Sequence, residues 1–149
     1  MKARWFLRAA FLVCFFLLLA GNASPFCFEE AGRMYDISPL LLWGIAQTES
    51  GFDPAAVNWN SDGSYDFGLM QINSSWASII GPSLWSRLGD ACTNVKVGAW
   101  VLAQCIRRYG YSWEAVGCYN ASSPDRRARY ATRVWHNISR VASPTRETR

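Results

Sequence analysis

Apolar positions along the chain fall into one unbroken block, several stretches of helical period and one short tract of alternation. The block is Ala9 to Ala20, twelve residues preceded by Lys2, Arg4 and Arg8 and followed by Gly21-Asn22-Ala23. A positive start, an apolar run too short for an ordinary membrane span and small residues before a cut predict a signal peptide over 1–23, with an uncleaved membrane anchor as the other reading. Cys27 to Asp36 then has helical composition. Ser38 is suited to cap the next helix and Pro39 to its first turn, where a missing N–H costs nothing. Gly51 stands where a left-handed stop belongs, so about three helical turns lie between, apolar until Glu49. A polar, turn-rich tract from Asn58 to Ser64, flanked by Val57, Trp59, Tyr65 and Phe67, predicts a short hairpin or irregular loop.

The second half of the chain is helical in pattern. Gly81-Pro82 breaks Trp76 to Leu88 into short turns. Thr93 or Asn94 starts the clearest helix, in which Val95, Ala99, Leu102, Ile106 and Tyr109 follow at three or four residues until Gly110. Ser112 caps Trp113 to Tyr119. Ser123-Pro124-Asp125 opens a last helix with Tyr130, Val134, Ile138, Ala131 and Trp135 inward. The expectation is a mainly α single domain over 24–142, a small irregular β element and a frayed tail over 143–149.

Charge changes little once the first segment is removed. Fifteen basic against eleven acidic residues give a net +4, but Lys2, Arg4 and Arg8 leave with the signal and no acid does, so the remainder carries +1. That excludes nucleic-acid binding on bulk charge. Arg126, Arg127, Arg129, Arg133 and Arg140 load the last helix, a solvated face or a weak attraction to an anionic polymer. Cys27, Cys92, Cys105 and Cys118 remain beyond the signal. An even count in an exported chain reads as two disulfides with three possible connectivities, of which Cys27–Cys92 with Cys105–Cys118 is preferred. No two of these cysteines are closely spaced and His136 is the sole histidine, so no metal and no cofactor is expected.

Glu49 is the polar residue that the pattern leaves unexplained. It shares a helical face with Leu42, Ile45 and Ala46 and sits in the last turn. Desolvation and the negative end of the helix both raise its pKa, as an acid catalyst needs, unless it simply turns to solvent. Gly68-Leu69-Met70-Gln71-Ile72-Asn73 follows the polar tract, with a glycine that permits close backbone approach.

Glu49-Ser50, Gly68 to Gln71 and Tyr119-Asn120 resemble, in order, three signatures of the lytic transglycosylase family, which has a lysozyme-like domain. The likeness covers roughly Phe26 to Ala121 and departs at Cys118, where a small apolar residue is usual. It implies a periplasmic peptidoglycan lytic transglycosylase, monomeric, of the small kind that accompanies secretion systems or pili. It cleaves without hydrolysis, with Glu49 as acid and then base and the substrate's N-acetyl group replacing a second carboxylate. Asp66 is the one other acid that the loop can bring to the cleft, as a catalytic group or a loop acceptor. Gln71 offers an amide to the sugar and Met70 an apolar floor. Tyr119 aims its hydroxyl at the N-acetyl group or at Glu49, or else packs as a core aromatic. Asn120 and Asn73 are weaker contacts, Ser50 supports the helix end, and Trp59 is the expected sugar-stacking platform. A lysozyme-type hydrolase using Glu49 with Asp66, or a peptidoglycan-binding assembly factor, are the other readings.

Overall fold

The computed structural model describes residues 26–143 of the 149. The expected signal segment and nearly all of the tail lie outside the described residues. Among these, α1 (Phe28–Tyr35) and α2 (Pro39–Glu49) lead into β1 (Val57–Trp59), β2 (Tyr65–Phe67) and β3 (Ile72–Asn73). A 3-10 turn and two four-residue helices, α3 (Ala77–Ile80) and α4 (Pro82–Trp85), come next. Then follow α5 (Ala91–Tyr109), α6 (Trp113–Asn120) and α7 (Pro124–Ala142). The fold is mainly α with one small sheet, as the pattern predicts.

Helix α2 is apolar on almost every side because it is enclosed: Leu41, Leu42, Ile45 and Ala46 are buried. Helix α7 crosses it at Gly44, where an added Cβ would stand 2.5 Å from Ile138 Cγ1. Tyr130, Ala131, Val134 and Ile138 are the buried face of α7. Trp135 is not on that face; it is half-exposed and meets Trp113 edge-on at 5.5 Å. Arg127 is likewise not solvated, since its guanidinium lies over the Tyr109 ring and donates to the Tyr109 hydroxyl.

Helix ends follow their punctuation with two exceptions. Ser38 occupies the cap position of α2, but its side chain makes no capping bond; its N–H donates to the Tyr111 hydroxyl at 3.0 Å. Helix α5 starts at Ala91, not at Thr93 or Asn94, because the Asp90 carboxylate accepts from the Thr93 N–H at 2.7 Å. Elsewhere Gly51 is left-handed at φ 62° behind α2, and Ser112 caps α6 by accepting from the Ala115 N–H.

The sheet is antiparallel, in the order β1-β2-β3, with Asn58 opposite Asp66 and Asp66 opposite Asn73. Two disulfides brace the molecule: Cys27–Cys92 ties the start of α1 to α5, and Cys105–Cys118 ties α5 to α6.

Candidate active site

A polar cleft of about 530 Å³ opens between the end of α2, the sheet and the end of α6. Glu49, Asp62, Asp66, Gln71, Asn73, Trp76, Tyr119 and Asn120 are among its lining residues. A larger depression, about 690 Å³, lies over Trp113 and Trp135 between α6 and α7. Its one carboxylate, Glu114, pairs with Arg127 at 3.4 Å, so it holds no group free for acid or base chemistry. The cleft does.

Glu49 ends α2 with its carboxyl turned inward. Its Oε1 accepts a hydrogen bond from the Tyr130 hydroxyl at 2.5 Å. Loss of water around the carboxyl pushes the pKa from 4.5 up to about 7, with the negative charge of Asp66 adding to the rise. The Tyr130 hydrogen bond and the charge of Arg133 oppose it. An acid half ionised at neutrality can both give and take a proton. Burial, then the charge of Glu49, keep Tyr130 and Tyr119 well above the usual phenol range, so both stay protonated donors.

Sequence reasoning missed Tyr130 as a site residue. Its spacing with Val134 and Ile138 marks it as core, and the ring is core at 1% exposure. The available signal was that a buried tyrosine needs a partner for its hydroxyl. Tyr119 stacks on that ring at 6.4 Å, and its own hydroxyl donates to the Met70 carbonyl at 2.7 Å rather than to Glu49.

The segment from Gly68 to Asn73 is held from below. The Asn94 side chain accepts from the Met70 N–H at 2.7 Å and donates to the carbonyls of Phe67 and Leu88 at 3.1 and 3.2 Å. Ser50 Oγ donates to the Leu69 carbonyl at 2.8 Å and so joins the end of the Glu49 helix to this loop. Met70 is fully buried against Gly98, which removes it from the cleft surface; its backbone, not its side chain, serves the site. Gln71 lines the cleft, but its amide is committed: Nε2 donates to the carbonyls of Gly68 and Ala56, and Oε1 accepts from Asn58 Nδ2 at 2.6 Å.

Asp66 faces the same cleft as Glu49. Its carboxylate accepts from Asn73 Nδ2 at 2.7 Å and from Asn60 Nδ2 at 3.1 Å, so half of its acceptor capacity remains open. Asn73 also accepts from the Ser75 N–H, and Asn120 is exposed at the edge. Trp59 is 73% exposed and packs on Tyr65 outside the lining; Trp76 is the tryptophan of the cleft wall. The cluster of Cys27, Glu30 and Cys92 has its two sulfurs joined to each other, which leaves it no set of metal ligands.

Residues 26–139 match the family described as transglycosylase SLT domain. The chain is 42% identical over 144 residues to invasion protein IagB of Salmonella typhimurium, covering 92% of this chain and 90% of that protein. It is 37% identical over 147 residues to protein IpgF of Shigella flexneri, covering 94% and 95%. Among solved structures it is similar to an inactive mutant of lytic transglycosylase Slt from Pseudomonas aeruginosa. The TM-score is 0.61 at 16% identity, over 79% of this chain and 24% of that one, a likeness of fold. With a domain match across nearly all the described residues and relatives aligned almost end to end, the chain belongs to the transglycosylase SLT family and is a peptidoglycan lytic transglycosylase.

Proposed function

We propose that this enzyme cleaves the β-1,4 bond between N-acetylmuramic acid and N-acetylglucosamine without water, leaving 1,6-anhydro-muramic ends. The observation that carries the reading is one buried carboxyl poised at a pKa of about 7 in a polar cleft. Glu49 protonates the leaving oxygen, and the bond from muramic C1 to that oxygen breaks. The muramic N-acetyl oxygen bonds to C1 and disperses the positive charge. Glu49, now a carboxylate, takes the proton of the C6 hydroxyl, whose oxygen displaces the N-acetyl group from C1. The proton count closes and Glu49 is restored. Tyr130 occupies Oε1, which leaves Oε2 to carry the proton and lends a hydrogen bond to the carboxylate formed midway.

Asp66 adds a negative charge across the cleft that favours a cationic centre. Asn73, Asn120, the remaining acceptor of Gln71 and the Trp76 ring are the sugar contacts we assign, with Trp59 on an outer rim. A second reading, lysozyme-type hydrolysis, draws on the same fact about Asp66: its carboxylate has room to orient a water. We further infer export to the periplasm behind a signal peptide over 1–23, ahead of the working domain over 24–142. There the enzyme opens the wall locally for a secretion system or pilus; a relative named invasion protein supports that setting.

The test is mass analysis of muropeptides released from purified sacculi by the oxidised protein, with Glu49→Gln alongside. Anhydro ends from the wild type alone are expected. Reducing ends would move the assignment to hydrolysis with Asp66, and release by Glu49→Gln would remove Glu49 from the chemistry.

A further inference from the structure

Another concavity, about 440 Å³, adjoins the end of α2 that carries Glu49. Gln47 and Thr48 of α2 line one side, and Arg133, His136, Asn137 and Arg140 of α7 the other. The three nitrogen bases fall at i, i+3 and i+7, one stripe of the helix. No acid lines the pocket. The ion pairs among the described residues are Lys96 with Glu30 and Arg127 with Glu114, so neither Arg133 nor Arg140 has a carboxylate partner there. The floor is fixed: Asn137 Nδ2 donates to Thr48 Oγ1 at 2.9 Å, and that hydroxyl donates to the Gly44 carbonyl at 2.7 Å. Arg133 lies over the Tyr130 ring at 5.5 Å and is near enough to Glu49 to depress its pKa, which joins the pocket to the cleft electrostatically.

We propose that this basic pocket takes the carboxylates of the peptide stem on the muramic acid whose bond is cut. The inference rests on the reaction given above. That reaction sets muramic C1 at Glu49, and the stem leaves from C3 of the same ring, so it emerges beside the end of α2. The cleft itself presents Glu49, Asp62 and Asp66 and no lysine, arginine or histidine, which makes it a poor host for an anionic peptide. The adjoining pocket has the opposite sign. Guanidinium groups match a carboxylate in charge and shape, and Gln47 supplies a neutral amide at the same mouth.

Binding by the inactive Glu49→Gln protein tests this without turnover. Glycan strands carrying stems are compared with strands whose stems an amidase has removed, using Glu49→Gln alone and with His136→Gln and Arg140→Gln added. Exposed charge pairs of this kind are worth about tenfold together at low salt. Stem-bearing strands are expected to bind about tenfold tighter than stripped ones, and the added substitutions to erase that difference. No preference for stems, or equal losses on both strands, would overturn the proposal. Vesicles containing phosphatidylglycerol are the control for another anion. If the added substitutions release vesicles but leave the stem preference intact, the pocket serves lipid phosphate and the proposal fails. Product analysis of the wild type is separate: a stem preference without anhydro ends would sink the reaction and keep the pocket.

Discussion

Glu49 titrates beside a Tyr130 that stays protonated, and its neighbours set the direction of every change. In the reaction we propose, cleavage starts from the protonated acid, so kcat/KM should fall above about pH 7, where Glu49 ionises. Tyr130→Phe removes a hydrogen bond that favours the carboxylate, which raises the pKa and moves that limb to higher pH. Asp66→Asn removes a negative charge and moves it lower. Opposite displacements in pH–rate profiles are expected; shifts of the same sign would defeat this account. Glu49→Gln should lower cleavage by about 10³-fold or more. Stability should respond too. The folded pKa of about 7 lies above the ordinary 4.5, so the contribution is complete below 4.5 and is lost as pH rises through 7. Glutamine cannot ionise, so Glu49→Gln should be the more stable protein at pH 8, by at most about 3 kcal/mol, and equal to wild type near pH 4. Melting curves across that range read the difference.

The loop of Gly68 to Asn73 shows what an element's neighbours add to its own residues. Gly68 has φ 78°, and a Cβ there would clash with the Asn94 side chain, so glycine is required twice over. Asn94→Ala would strip three backbone groups of their partners, at a cost of about 3 kcal/mol, and would loosen the loop joined to Glu49 through Ser50. Denaturant midpoints should drop accordingly, with activity falling even where the protein stays folded. The sequence made the loop and Glu49 legible because both carry local marks: a glycine, paired amides, an acid at the end of an apolar helix. It also predicted a hairpin or irregular loop after Val57, the short turns after Trp76 and most helix starts. Asn94 was hidden because asparagine is an ordinary cap residue, and only the fold shows Asp90 in that place and Asn94 one turn inside. Strand β3, two residues long, has too little pattern to read. Which way Met70, Gln71 and Tyr119 turn is decided by long-range partners that no spacing encodes.

Across the whole molecule, the two disulfides are expected to divide stability from activity. Cys27–Cys92 closes 65 residues and Cys105–Cys118 closes 13. In the chain-entropy description these are worth about 4 and about 3 kcal/mol, so the long closure matters more to folding. Their places in the site rank the other way. The long bridge fastens α1 to α5, and none of its residues touches the cleft. The short one precedes Tyr119, whose ring stacks on Tyr130 and whose hydroxyl holds the Met70 carbonyl. Freeing that end of α6 lets both tyrosines shift, and with them the donor on Glu49. Paired alanine substitutions should therefore separate the two. Cys27→Ala with Cys92→Ala should lower the melting temperature further, yet keep most of the cleavage rate at temperatures where the protein is folded. Cys105→Ala with Cys118→Ala should melt higher than the first pair and cleave more slowly. If the two pairs lost activity in proportion to stability, Tyr119 would be part of the general core and the short bridge would have no particular hold on the site.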